Sequence, residues 1–128
     1  MQRIFHTPEG VRDIYNGECS QKHHLQTEIR KVFDSYGYEE IETPSFEYFE
    51  VFSREVGTIP SRDLYKFFDR EGNTLALRPD FTPSVSRACA TYFNPDQQVV
   101  TLSYTGNTFI NNSSYQGRLK ETTQMGVE

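Results

Sequence analysis

Between Glu18 and Tyr36 the residues Leu25, Ile29, Val32, Phe33 and Tyr36 fall at helical spacing, and Gly37 stands directly after them. The pattern predicts one helix with a single apolar stripe, closed by a glycine in left-handed geometry. Beyond it, "YEEIETPSFE" alternates enough to predict a strand ending near Pro44, and "YFEVFSREVG" predicts a short helix stopped at Gly57. "LYKFFDREGNTLALRP" sets two apolar or aromatic runs around "DREGN", so a β-hairpin turning at Gly72 and Asn73 is expected. In "TPSVSRACATYF", Thr82 and Pro83 suit the N-cap and first turn of a helix whose Val85, Ala88, Cys89 and Tyr92 share a face. "VVTLSYTG" and the closing stretch from Phe109 to Glu128 predict further strands, joined as a hairpin. Hairpins interleaved irregularly with helices predict an α+β domain, an antiparallel sheet with flanking helices.

Charge sharpens the last hairpin. No Asp, Glu, Lys or Arg occurs from Gln97 to Gly117, after which Arg118, Lys120, Glu121 and Glu128 follow. One arm and the turn are therefore uncharged. The whole chain, at 128 residues with net charge -5, has the size of one domain or a piece of one and no overall positive field for nucleic acid or an anionic membrane. Phe and Tyr, with no Trp, supply 14% of the residues, enough to pack a core. No apolar run approaches the roughly 18 residues of a membrane span, and a soluble cytoplasmic protein is expected. Cys19 and Cys89 lie far apart without CxxC or Cys/His ligand spacing, and His6, His23 and His24 make no i, i+4 pair. A reducing compartment and no structural metal are expected. Neither a glycine-rich phosphate loop nor a nucleophile elbow is present, and no cofactor is expected.

Three features could carry function. The stripe Leu25, Ile29, Val32, Phe33 either faces its own core or a second copy of the chain. In "LRPDFT", Asp80 and Thr82 could hold an ammonium group, or simply satisfy the free N–H groups of a helix start. In "QMGVE", Gln124, Gly126 and Glu128 lie at period two and share one strand face. With the glycine leaving room above the sheet, they suggest a polar pocket floor; a solvated face would read the same way.

Taken in order, these segments resemble the N-terminal part of the class II histidyl-tRNA synthetase fold. "EGVRDIYNGE" is similar to that family's opening segment, and the helix followed by "GYEEIETP" is similar to motif 1, ending at Pro44. "LYKFFDREGNTLALRPDFTPSVSRA" resembles the histidine-recognition stretch, whose usual form is Leu-Arg-Pro-Glu-Gly-Thr, and "TGNTFINNSSYQGRLKETTQMGVE" lies on motif 2 without a gap. Nothing resembles motif 3, so the resemblance implies a domain truncated within motif 2. It also implies a homodimer built through motif 1, with Leu25, Ile29, Val32, Phe33 and Pro44 at the contact.

Motif 2 departs from the synthetase pattern where ATP chemistry is done. After Phe109 the resemblance places Ile110 at the arginine that clamps the α-phosphate, Asn112 at the glutamate that seats adenine, and Ser113 at a common basic position. Losing one preorganised donor of this kind costs on the order of 100-fold to 1,000-fold in rate. Asp80, Thr82, Gln124 and Glu128 match the positions that hold histidine, although Asp80 is one methylene short and Phe81 replaces glycine. A lost ATP half beside a retained amino-acid half resembles the synthetase paralogues that serve as regulatory subunits of ATP phosphoribosyltransferase. That resemblance implies a non-catalytic protein of histidine biosynthesis, with a short-form catalytic subunit as partner, histidine as effector and no tRNA. A divergent histidyl-tRNA synthetase is the alternative.

Overall fold

Helix α1 (Asn16–Ser35) starts two residues before the expected Glu18 and ends where Gly37 takes φ +83°. There the amide of Gly37 donates to the Asp34 carbonyl at 3.0 Å and that of Tyr38 to Phe33 at 3.2 Å, so the predicted glycine stop is present. None of its 20 residues is buried. Leu25, Val32 and Tyr36 are 59%, 53% and 78% exposed, while Ile29 and Phe33 are half-buried, so the stripe does not enter this chain's own core. The computed structural model describes residues 3–54, 59–94, 96–113 and 117–128.

The single strand expected before Pro44 is instead two short ones in different sheets: β1 (Glu39–Glu40) and β2 (Phe46–Tyr48). Proline has no N–H to offer a ladder and holds the preceding residue extended, so the chain leaves one sheet at Thr43 and Pro44 and joins the other two residues later. β1 runs parallel to β5 (Leu102–Phe109), pairing Glu39 with Leu102, and β5 runs antiparallel to β6 (Glu121–Val127). One of the three-stranded sheets is therefore mixed at its edge. The other, ordered β2-β4-β3, is antiparallel throughout, with β3 (Lys66–Phe68) and β4 (Thr74–Leu77) forming the predicted hairpin and Gly72 at φ +83° in its turn.

Short helix α2 (Phe49–Ser53) follows β2 directly; Gly57, its expected stop, lies outside the described residues. Two buried clusters result. Phe52, Leu64 and Ala76 close the space between α2 and the second sheet. Phe81, Val85 and Leu102 fill the space between α3 (Thr82–Tyr92) and the first sheet, with Ile41, Cys89 and Tyr104 against them. Tyr92, placed on the core face by the pattern, is the last residue of α3 and is 76% exposed.

Arg78 joins the two halves. It is 7% exposed, follows β4, and its Nε donates to the Asn107 carbonyl at 2.7 Å on β5. Its Nη1 donates to the carbonyls of Thr43 and Pro44 at 3.0 and 3.3 Å, the crossing between sheets. Its own N–H reaches Ser45 and its carbonyl takes the N–H of Phe109, both at 2.9 Å. Carbonyls left over where the chain changes sheets are thus satisfied by one guanidinium.

Candidate amino-acid site

The register of β5 and β6 fixes the site. Gly106 opposes Gln124, Tyr104 opposes Gly126, and Leu102 exchanges both backbone hydrogen bonds with Glu128 at 2.8 and 2.9 Å. Gln124, Gly126 and Glu128 therefore share a face with Tyr104 and Gly106, as the period of two requires. Above this face stands the start of α3. Thr82 is not its N-cap: Phe81 holds that position in helical geometry, and Thr82 is the first helical residue. The Thr82 hydroxyl is free to turn to the sheet and donates to Glu128 Oε1 at 2.5 Å.

Asp80, which is exposed, accepts the N–H of the adjacent Phe81 on Oδ1 at 2.7 Å, and no side chain caps the first turn of α3. The Tyr104 hydroxyl feels the charge of two carboxylates. Its pKa is raised, first by burial and then by the charges of Glu128 and of Asp80. Thr82, Glu128, Tyr104 and Asp80 thus form one anionic corner. Gln124 lies on the same face, one pleat along β6 beyond Gly126.

Room above Gly126 is not open, contrary to expectation. A Cβ there would collide with the Tyr104 hydroxyl, and one at Gly106 would lie 2.6 Å from Arg78 Nη2 and 2.9 Å from Phe81 Cζ. Phe81, 1% exposed, stacks on Tyr104 with centroids 4.5 Å apart and an interplanar angle of 20°, and the Arg78 guanidinium lies 4.3 Å from the Phe81 centroid. Burial lowers the Arg78 pKa. Sequence reasoning missed Arg78 and Tyr104 as parts of this site; its signal for Phe81 was the aromatic residue standing where the resemblance expects glycine.

A second cleft holds the positions assigned to nucleotide. It is lined by Asp63, Ile110, Asn112, Arg118 and Leu119, with Ile59 and Pro60 at its edge. Ile110 is half-buried, its N–H spent on the Lys120 carbonyl at 2.8 Å, and its side chain offers only hydrocarbon. Asn112 Nδ2 reaches the Leu119 carbonyl at 3.4 Å, and Ser113 is exposed. Arg118 is the cation of this cleft; the pattern had marked it only as charge on the second arm.

Pro44 is exposed at the crossing between the sheets, where its carbonyl accepts from Arg78. One cysteine expectation needs correction. Cys19 and His23 are four apart on α1, and the helix sets Sγ 3.9 Å from Nε2. No third His, Cys, Asp or Glu joins them in a metal-like group among the described residues.

A mixed edge strand, a long antiparallel hairpin and a glycine-bearing sheet face approached by a helix start define the class II synthetase-like architecture. The family profile "Histidyl-tRNA synthetase" matches residues 10–128, and the chain belongs to that family. It is 47% identical over 123 residues to an ATP phosphoribosyltransferase regulatory subunit from Ruminiclostridium cellulolyticum, covering 96% of this chain and 29% of that protein. It is 36% identical over 125 residues to a histidine–tRNA ligase from Methanococcus vannielii, covering 98% and 30%. Among solved structures, one described as an ATP phosphoribosyltransferase regulatory subunit/histidyl-tRNA synthetase from Bacillus halodurans superposes with TM-score 0.82 at 33% identity over 97% of this chain and 32% of that one. Apo histidyl-tRNA synthetase from S. aureus gives 0.74 at 28% identity, over 95% and 32%. The chain spans about 30% of the length of the relatives it matches. No described helix is long and apolar enough to cross a membrane.

Proposed function

We propose that this chain acts as a non-catalytic regulatory subunit of ATP phosphoribosyltransferase, in the first step of histidine biosynthesis. It pairs with itself and with a short-form catalytic subunit, activates that subunit in the cytoplasm, and carries its feedback response to histidine. Within the chain, Asp80, Thr82, Gln124 and Glu128 hold the ammonium end of a histidine-like ligand.

The observation that carries this reading is Ile110. It occupies the wall of the cleft where the resemblance places the phosphate-clamping arginine, and its side chain has no donor to meet charge developing on a phosphoryl group. Similarity at 46% and 47% to two proteins named as regulatory subunits supports the same conclusion. Histidine-dependent exchange of pyrophosphate into ATP is expected to be absent. Adding the chain to a short-form catalytic subunit is expected to raise turnover and to make it histidine-sensitive. Robust exchange without any effect on the phosphoribosyltransferase would instead establish the synthetase alternative, which the similarity to Methanococcus ligases at 36% and 37% keeps specific. Binding of tRNA is not expected from a chain of net charge -5.

A further inference from the structure

We infer that Phe81 sets the depth of this site, so that a bound amino acid is gripped by its ammonium group alone while its side chain is kept off the sheet. The inference rests on the amino-acid reading of Asp80, Thr82, Gln124 and Glu128. Two glycines, Gly106 and Gly126, leave the β5–β6 face without side chains at neighbouring positions, the usual way a sheet makes room for something to lie against it. Here the chain's own groups take that room. Phe81 Cζ and Arg78 Nη2 come within 2.9 and 2.6 Å of where a Gly106 Cβ would stand, and the Tyr104 hydroxyl fills the place over Gly126.

The stack also separates the charges a ligand would use. Tyr104 and the Arg78 guanidinium each lie against the Phe81 ring, 4.5 and 4.3 Å from its centroid, and two groups at those distances cannot share one ring face. Arg78 is therefore on one side of Phe81, and Tyr104, whose hydroxyl lies over Gly126 two residues before Glu128, is on the other. Arg78 Nη2 has no acceptor among the described residues, yet an α-amino acid, whose ammonium and carboxylate share one carbon, does not reach both sides of the ring. Ammonium goes to the anionic corner, and the side chain projects outward, away from the face that Phe81 and Tyr104 fill.

Calorimetric titration of L-histidine and L-alanine into this chain and its Phe81→Leu, Phe81→Ala and Phe81→Gly variants tests the idea, with melting curves confirming that each is folded. The unchanged chain is expected to bind the two amino acids within about threefold of each other, since discrimination of about tenfold or more requires a pocket that contacts the side chain. Shrinking residue 81 is expected to raise histidine affinity stepwise, reaching about tenfold or more at glycine, with alanine unchanged. Phe81→Leu keeps most of the buried volume, so at least one variant reports even if glycine unfolds the loop. Tenfold preference for histidine in the unchanged chain, or affinities indifferent to residue 81 in folded variants, would overturn the role of Phe81 and leave the amino-acid site standing. Binding of neither ligand to any variant would overturn the amino-acid reading, and this inference with it.

Discussion

Arg78 is the residue on which the junction of the two sheets depends. Its charge is buried against carbonyls of Thr43, Pro44 and Asn107 with no carboxylate partner among the described residues, and its burial lowers its pKa. Removing it takes the side-chain donor from three carbonyls held in part-buried bonds. Because hydrogen bonds to charged groups contribute about 1.5–3 kcal/mol each and are not additive, Arg78→Met should cost about 3 kcal/mol or more, read as a lower urea midpoint. Arg78→Lys should recover little of it, since an ammonium cannot fork to both strands. None of this was legible in "LRPD": a loop arginine becomes a clamp only when the β5 register and the break at Pro44 bring three carbonyls to it. Thr82 was legible as polar and near a helix start, but its bond to Glu128 spans 46 residues and needed the fold. At Ile110 the sequence shows directly that the side chain has no donor, since that is a property of the residue itself. Ile110→Arg is expected to give slight affinity for ATP or pyrophosphate and no histidyl-adenylate in an exchange assay. Asn112 and Ser113 still lack charge, and catalytic groups that act as a unit gain little from one restored member.

Elements were legible where local chemistry decides them. The β3–β4 hairpin follows from its turn: Asp69 Oδ1 accepts the amides of Glu71 and Asn73 at 3.0 and 2.8 Å, Oδ2 accepts Asn73 Nδ2 at 2.9 Å, and Gly72 takes the left-handed position. The Asn73 side chain, ahead of the backbone amides of Asn73, Glu71 and Gly72, holds the Asp69 carboxyl below its ordinary pKa. A depressed folded-state pKa means the carboxylate's contribution is present above the unfolded value and lost as pH falls through the folded one. Asp69→Ala should therefore lower the melting temperature at neutral pH, and that difference should shrink on acidification below about pH 4, the ordinary carboxylate range. An equal effect at pH 7 and pH 2 would show that the turn does not depend on the charge. β1 and β2 were illegible for a different reason. A period of two says which residues share a face, not which sheet owns the strand, and the switch at Pro44 is set by partners 31 and 63 residues away: Leu77 opposite Phe46 and Leu102 opposite Glu39.

At the scale of the molecule, α1 raises the question of what stabilises it. A 20-residue helix with no buried residue draws little from its own chain, whereas most helical stability in proteins comes from packing an apolar face. Its stripe is continuous from Leu25 through Ile29 and Val32 to Tyr36, and its outward half is 53% to 78% exposed. A second exposed apolar surface stands on the other sheet, where Phe46 and Tyr48 are 48% and 57% exposed and Phe46 meets Phe67 edge-on at 5.3 Å. Pairing of two copies through α1 would bury the first of these. We therefore expect a symmetric homodimer, and Leu25→Glu with Val32→Glu should convert it to a monomer, because both side chains face away from this chain's core and a charge at either is costly only inside an interface. Sedimentation at high micromolar concentration reads the association and circular dichroism reads the helix. A dimer that survives both substitutions would place the contact elsewhere, with the face of Phe46, Tyr48 and Phe67 next to be tested. A monomer before any substitution would mean that α1 holds its shape without a second copy.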